Sequence, residues 1–174
     1  VSFRRDMREA CLQDEQKRKE DKTMEFLPNP KQMEYHTGHF LPGSQTKIVL
    51  CGTEPGAFLY AQMLQKELKE EAGLSLDILR ALCPAESGDI VLCLDQKLEK
   101  DHYQLAIEED KISLVAGSDE ALCNGVQTLC QVIQLHGAVL PCLSITDWPD
   151  LQNRGYYMDC SRGRVPKLSY LKEV

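Results

Sequence analysis

Acid and base chemistry needs carboxyl groups held close together, and three stretches bring them together: Glu70-Glu71, Glu108-Glu109-Asp110 and Asp119-Glu120. Their spacing places the first pair on the wet face of a helix, the second group in a hairpin turn and the third in the first turn of a helix. Each is explained as solvated charge, and none is expected to be catalytic. Metal chemistry would need a ligand set, and "YHTGHF" offers only His36 and His39 either side of Thr37-Gly38. Two imidazoles do not complete a site, and without an HExxH or acidic partner motif they read as residues flanking a hairpin turn. Nucleophilic chemistry would draw on Cys11, Cys51, Cys83, Cys93, Cys123, Cys130, Cys142 and Cys160. They are dispersed singly with no CxxC, mostly inside apolar runs such as "KIVLCG", where a reduced cysteine acts as a small hydrophobe. Free thiols in a reducing compartment are the expectation. The sequence also lacks a GxSxG elbow, a Ser-His-Asp set and a glycine-rich phosphate loop. No metal and no cofactor are expected.

The elements that carry these residues follow from periodicity. "LPNPKQMEYHTGHFLPG" is punctuated by Pro28, Pro30 and Pro42 and reads as a β-hairpin turning at Thr37-Gly38. "TKIVLCG" is a buried strand, after which Thr53 caps a helix with Pro55 in its first turn. Ala57, Ala61, Leu64 and Leu68 stripe that helix and Gly73 closes it, while Lys66, Glu67, Lys69, Glu70 and Glu71 face solvent. Strands follow at "LDILRAL" and "DIVLCLD", and "YQLAIEEDKISLVAG" folds back at Glu109-Asp110. Ser118 caps a second helix, striped by Leu122, Val126, Leu129 and Ile133 and ended at Gly137. The order ββ-β-α-β-β-ββ-α-β predicts an α+β fold, a mostly antiparallel or mixed sheet with two helices, 54–72 and 118–136, packed on one face. The other sheet face is expected to be left free for a neighbouring domain.

At 174 residues and 43% hydrophobic, the chain can bury one core plus appendages. A net charge of −7, with no basic run free of interleaved acids, argues against nucleic-acid or anionic-membrane partners. No apolar stretch reaches the roughly 20 residues of a membrane span, and no apolar h-region opens the sequence. A cytoplasmic protein is expected. Residues 1–25, rich in both charges, read as a helical or partly ordered leader.

From "YQLAIEEDKISLVAGSDEALCNGVQTLCQVI" through "LPCLSITDWPDLQNRGYYMDCSR" the chain resembles the family 20 glycoside hydrolases, the β-N-acetylhexosaminidases. In the helix the matches are Gly125, Thr128, Leu129 and Gln131; in the linker Pro141, Ile145, Asp147 and Pro149; beyond it Arg154, Gly155, Asp159, Ser161 and Arg162. The pattern departs at Gly163-Arg164, where the family commonly has His and an aromatic. The resemblance implies an accessory α+β domain at 26–150 and the start of a catalytic (β/α)8 barrel at 151–174, with "GYYMDC" its first strand and "VPKLSYLKEV" the start of its helix. Such a barrel typically needs about 250 residues, so this chain would hold only its opening.

The resemblance also implies substrate-assisted retaining hydrolysis of terminal N-acetylhexosamine, the substrate's acetamido oxygen serving as nucleophile. The general acid/base Glu and the adjacent orienting Asp would lie on a later barrel strand, so the fragment is expected to be inactive and its natural partner is its own barrel. Arg154 is the one candidate for substrate contact, its fixed fork of donors suiting sugar hydroxyls; Asp159 is expected to support. A free-standing carbohydrate-binding or interaction module is the alternative, against which weighs the single Trp148 placed in the linker.

Overall fold

Alternating apolar residues and two apolar stripes at helical spacing build the layers anticipated for them. The computed structural model describes residues 26–52, 55–81, 87–151, 153, 155 and 167–171. Within them lie strands β1 (Gln32–Phe40), β2 (Lys47–Cys51), β3 (Asp77–Ala81), β4 (Ile90–Leu94), β5 (Tyr103–Ile107), β6 (Ile112–Ala116) and β7 (Leu140–Asp147). The helices are α1 (Pro55–Ala72), α2 (Asp119–His136) and the single turn α3 (Leu168–Leu171). The strands form one sheet in the order β1-β7-β5-β6-β4-β2-β3. Pairing is antiparallel from β1 to β6 and parallel from β6 to β3, so the sheet is mixed.

Register turns the strand pattern into a core. Ile48, Ile90, Ile112, Ile107 and Leu143 stand side by side across neighbouring strands, and Leu50, Leu92, Leu114, Leu105 and Ile145 form the next row. Both rows face the helices and are almost fully buried. Ala57, Ala61, Leu64 and Leu68 of α1 and Leu122, Val126, Leu129 and Ile133 of α2 close over them in a single cluster. The two helices therefore share one face and touch each other, where Tyr60 O–H donates to Asp119 Oδ2 at 3.1 Å. Ser118 caps α2 by accepting the Ala121 N–H, satisfying one of the amide groups left open at a helix start. The turn at Glu108–Lys111 joins β5 to β6 as a hairpin.

The hairpin expected about Thr37-Gly38 does not form. β1 runs through these residues as one strand against β7, with a bulge between Tyr35 and His39. Gly38 takes φ +104 there, and a Cβ at this position would overlap the Glu109 side chain. A glycine between two short runs serves a bulge as well as a turn, and the edge that β7 offers decides for the bulge. The leader, Thr53, Arg154, "YYMDC" and Asp159 lie outside the described residues.

Gly125 sets how closely α2 can lie on the sheet. A Cβ there would come within 2.5 Å of Leu114 Cδ1 and 3.0 Å of Tyr103 Cδ2. Overpacking should cost Gly125→Ala about 1–3 kcal/mol, less the roughly 1 kcal/mol that alanine gains in a helix interior, so the domain should be destabilised by up to about 2 kcal/mol. Urea unfolding of the two proteins measures the difference.

Candidate functional site

The third row of the sheet runs Leu94, Ala116, Tyr103, Asp147. It changes from apolar to polar as it passes from β5 to β7, and α2 lies over that change. Tyr103 is 2% exposed, and its hydroxyl meets Thr128 Oγ1 at 2.7 Å and donates to Asp147 Oδ2 at 3.0 Å. The Thr128 hydroxyl also reaches the Asn124 carbonyl at 3.2 Å. Asp147 Oδ1 accepts the Lys31 N–H at 3.0 Å. The Lys31 ammonium pairs in turn with Asp150. One hydroxyl thus ties helix, sheet, entering chain and departing chain together.

A second clasp lies one turn further along α2. Gln131 accepts the Leu27 N–H on Oε1 at 2.9 Å and donates from Nε2 to the Leu27 carbonyl at 3.1 Å. A side-chain amide pairing both backbone groups of one residue replaces a missing strand partner. Around these clasps opens a cleft of about 460 Å³, lined by α2 residues Asn124 and Gln127 and by the linker Trp148–Leu151. The departing chain therefore lies on the helix side of the sheet. Trp148 is not a free platform, because the His102 ring stacks on it at 4.7 Å with the planes 19° apart.

The remaining candidates are scattered. His36 Nε2 meets Ser144 Oγ at 3.0 Å, and His39 follows the β1 bulge. Among the described residues no three His, Cys, Asp or Glu side chains come together as a metal site. Glu70 and Glu71 are exposed, Glu70 within 3.8 Å of Lys66, and Glu108 pairs with Lys111 at 3.3 Å in its turn. Backbone and Ser118 hydrogen bonds at the start of α2 hold the Glu120 carboxyl below its ordinary value. Burial and the bond to Asp119 push the Tyr60 phenol up to about 12. The five described cysteines are free thiols. Among the described residues the cleft holds no pair of carboxyl groups free of partners, since both Asp147 oxygens are taken up in hydrogen bonds and Asp150 pairs with Lys31. Its chemistry is that of a joint.

Residues 23–148 match the family profile described as glycosyl hydrolase family 20, domain 2. The chain belongs to glycosyl hydrolase family 20. A beta-hexosaminidase of Vibrio furnissii is 28% identical over 144 residues, covering 80% of this chain and 22% of that protein. The beta-N-acetylhexosaminidase of Bacteroides fragilis NCTC 9343 shares the fold with a TM-score of 0.65 at 22% identity, over 86% of this chain and 29% of that one. The family 20 exo-beta-N-acetylglucosaminidase of Vibrio harveyi, solved with N-acetylglucosamine, gives 0.66 at 24% identity, over 84% and 22%. The chain thus spans between about a fifth and a third of these relatives.

The family 20 motif residues within the described chain take structural parts. Gly125 gives the helix its close approach, Thr128 and Asp147 share the Tyr103 hydroxyl, Leu129 is core and Gln131 holds Leu27. Sequence spacing puts Tyr103 on the core face of its strand but singles out neither its hydroxyl nor Lys31 and Leu27, because their partners lie across strands or at the far end of the domain. The one signal in sequence was Tyr103 at the head of its alternating strand.

Burial, with the Asp147 charge adding to it, drives the Tyr103 phenol well above its ordinary value of 10. The folded state holds this proton more tightly than the unfolded chain, so the stabilisation is complete below about pH 10 and is lost as pH climbs beyond it. Tyr103→Phe should cost about 0.5–1.5 kcal/mol at neutral pH and flatten the fall in thermal midpoint above pH 10. Scanning calorimetry of both proteins across alkaline pH tests this.

Proposed function

We propose that this chain is the accessory layer, residues 26–150, of a β-N-acetylhexosaminidase, followed at 151–174 by the opening of its (β/α)8 barrel. The parent enzyme removes terminal N-acetylhexosamine from glycosides by substrate-assisted retaining hydrolysis, in the cytoplasm, whose resting poise favours reduced thiols. Membership of family 20 supports the reaction, and the named relatives support the sugar. In that reaction the substrate's acetamido oxygen attacks the anomeric carbon while a Glu protonates the leaving oxygen and an Asp orients the acetamido group. Both acids belong to the downstream barrel. From this chain Arg154 contributes a guanidinium fork to hydroxyls of the terminal sugar.

The domain's own task is to seat the barrel, and the outward face of α2 carries this reading. Asn124, Gln127, Gln131 and Gln134 form its stripe, and no charged side chain stands between Glu120 and His136, in a protein that is 27% charged. α1 adds the exposed Phe58 and Leu59. A neutral amide surface beside the exiting linker suits a covered face better than a solvated one. The barrel contact therefore belongs on the helix side, and not on the opposite sheet face that the element pattern leaves free.

Full-length enzyme should hydrolyse a chromogenic β-N-acetylglucosaminide, and the present chain alone should not, since positioned proton transfer contributes about a hundred- to ten-thousand-fold. Arg154→Ala should lower kcat/KM by about ten- to a hundred-fold, matching roughly 1.5–3 kcal/mol for a bond to a charged group, with Arg154→Lys rescuing little. A lowered thermal midpoint with normal kcat/KM would instead make Arg154 structural.

Gln127→Glu tests the seat. It should lower the thermal midpoint of the full-length enzyme, because an unpaired charge would be buried at the contact, and leave that of the isolated chain unchanged. Equal midpoints in both settings would refute a contact at Gln127.

A further inference from the structure

The face of the sheet away from the helices carries its own chemistry. Cys51 at the end of β2 and Cys93 in β4 are direct partners in a parallel ladder. Residues in register on neighbouring strands project from the same face, and here that is the face bearing Val49, Val91 and Val115, opposite the buried Leu50 and Leu92 rows. Neighbouring strands lie about 4.8 Å apart, inside the roughly 4.4–6.8 Å between Cα atoms that a disulfide spans. Both side chains are half-buried and both thiols are free. Cys93 Sγ reaches the Leu94 carbonyl at 3.5 Å. Burial, then the charge and hydrogen bond of the adjacent Cys51, raise the Cys93 thiol above its ordinary value. Cys130, by contrast, is buried in the core and pushed up to about 12, chiefly by burial.

We propose that Cys51 and Cys93 form a redox-responsive dithiol, closed to a disulfide by exchange with a low-molecular-weight disulfide such as oxidised glutathione. Cys51, as thiolate, attacks one glutathione sulfur; the glutathione S–S bond breaks, one glutathione leaves as a thiol, and a mixed disulfide stands on Cys51. Cys93, as thiolate, then attacks Cys51 Sγ. The Cys51–Cys93 bond forms, the mixed disulfide breaks and the second glutathione leaves. The two thiol protons end on the two glutathiones, and the protein pair has lost the two electrons that glutathione gains. The bond would tie β2 to β4 across the segment holding α1 and β3, constraining the unfolded chain. A link between two half-exposed side chains stays open to reduction by exchange, as a switch requires.

The test is a peptide map of the protein equilibrated in mixtures of reduced and oxidised glutathione and then alkylated. At the oxidising end the separately alkylated peptides of Cys51 and Cys93 should be lost in favour of one cross-linked pair, and dithiothreitol should restore them. Cys93→Ser should accumulate glutathione on Cys51, an adduct that the unsubstituted protein resolves. If Cys51 and Cys93 remain separately alkylated or separately glutathionylated under conditions that oxidise a reference peptide dithiol, the pair is not a redox site. The unsubstituted protein decides this by itself, so the outcome holds even where Cys93→Ser folds poorly.

Discussion

The Tyr103 hydroxyl is the point on which the rest of the domain depends. It lies under α2, shared between Thr128 and Asp147, and a phenol this deeply buried must find partners or cost the fold dearly. Three elements are needed to satisfy it. β5 supplies the hydroxyl, α2 the threonine, and β7 the carboxylate that also takes the Lys31 amide. Gly125 makes the arrangement possible, because a Cβ at that turn would meet Leu114 and the Tyr103 ring and hold the helix too high for Thr128 to reach the hydroxyl. The apolar rows of the sheet bring the helix near; the hydroxyl specifies its height and rotation.

The same constraint explains why the ends of the domain behave as one region. The chain enters at Leu27, held by Gln131, and leaves through Asp147 to Leu151 along the same stretch of α2. The entry is thus bonded to α2 directly and the exit through the Tyr103 hydroxyl, so a shift of that helix bears on both. A catalytic domain joined at the exit would inherit its orientation from these few bonds. That is a physical route by which such a layer would act on a domain joined to it.

The two faces of the sheet have been put to different uses. The helix side is filled with Ile and Leu in register and closed by two stripes. The other side carries mostly small residues, among them the half-covered Cys51, Val91, Cys93, Ala106, Ser113, Val115 and Ser144, with Glu34 at the β1 edge. Small side chains on neighbouring strands bring reactive atoms close together, which is how two dispersed cysteines become a pair.

What the sequence determined by itself was local and periodic. The stripe Ala57, Ala61, Leu64, Leu68 and the cap at Ser118 specified two helices, and the alternation Tyr103, Leu105, Ile107 specified a strand, because each signal lies within a few residues of its consequence. The motif from Gly125 to Arg162 marked the family for the same reason: it is an ordered string. Only the tertiary structure decided that Gly38 makes a bulge and not a turn, since that choice belongs to β7, distant in sequence. Only register put Tyr103 opposite Asp147 and Cys51 opposite Cys93, because strand pairing is a relation between segments and neither segment encodes the offset alone. The side on which the linker leaves was likewise beyond sequence reading, for it is settled where Lys31, Asp147 and Asp150 meet, and those residues become neighbours only when the sheet closes.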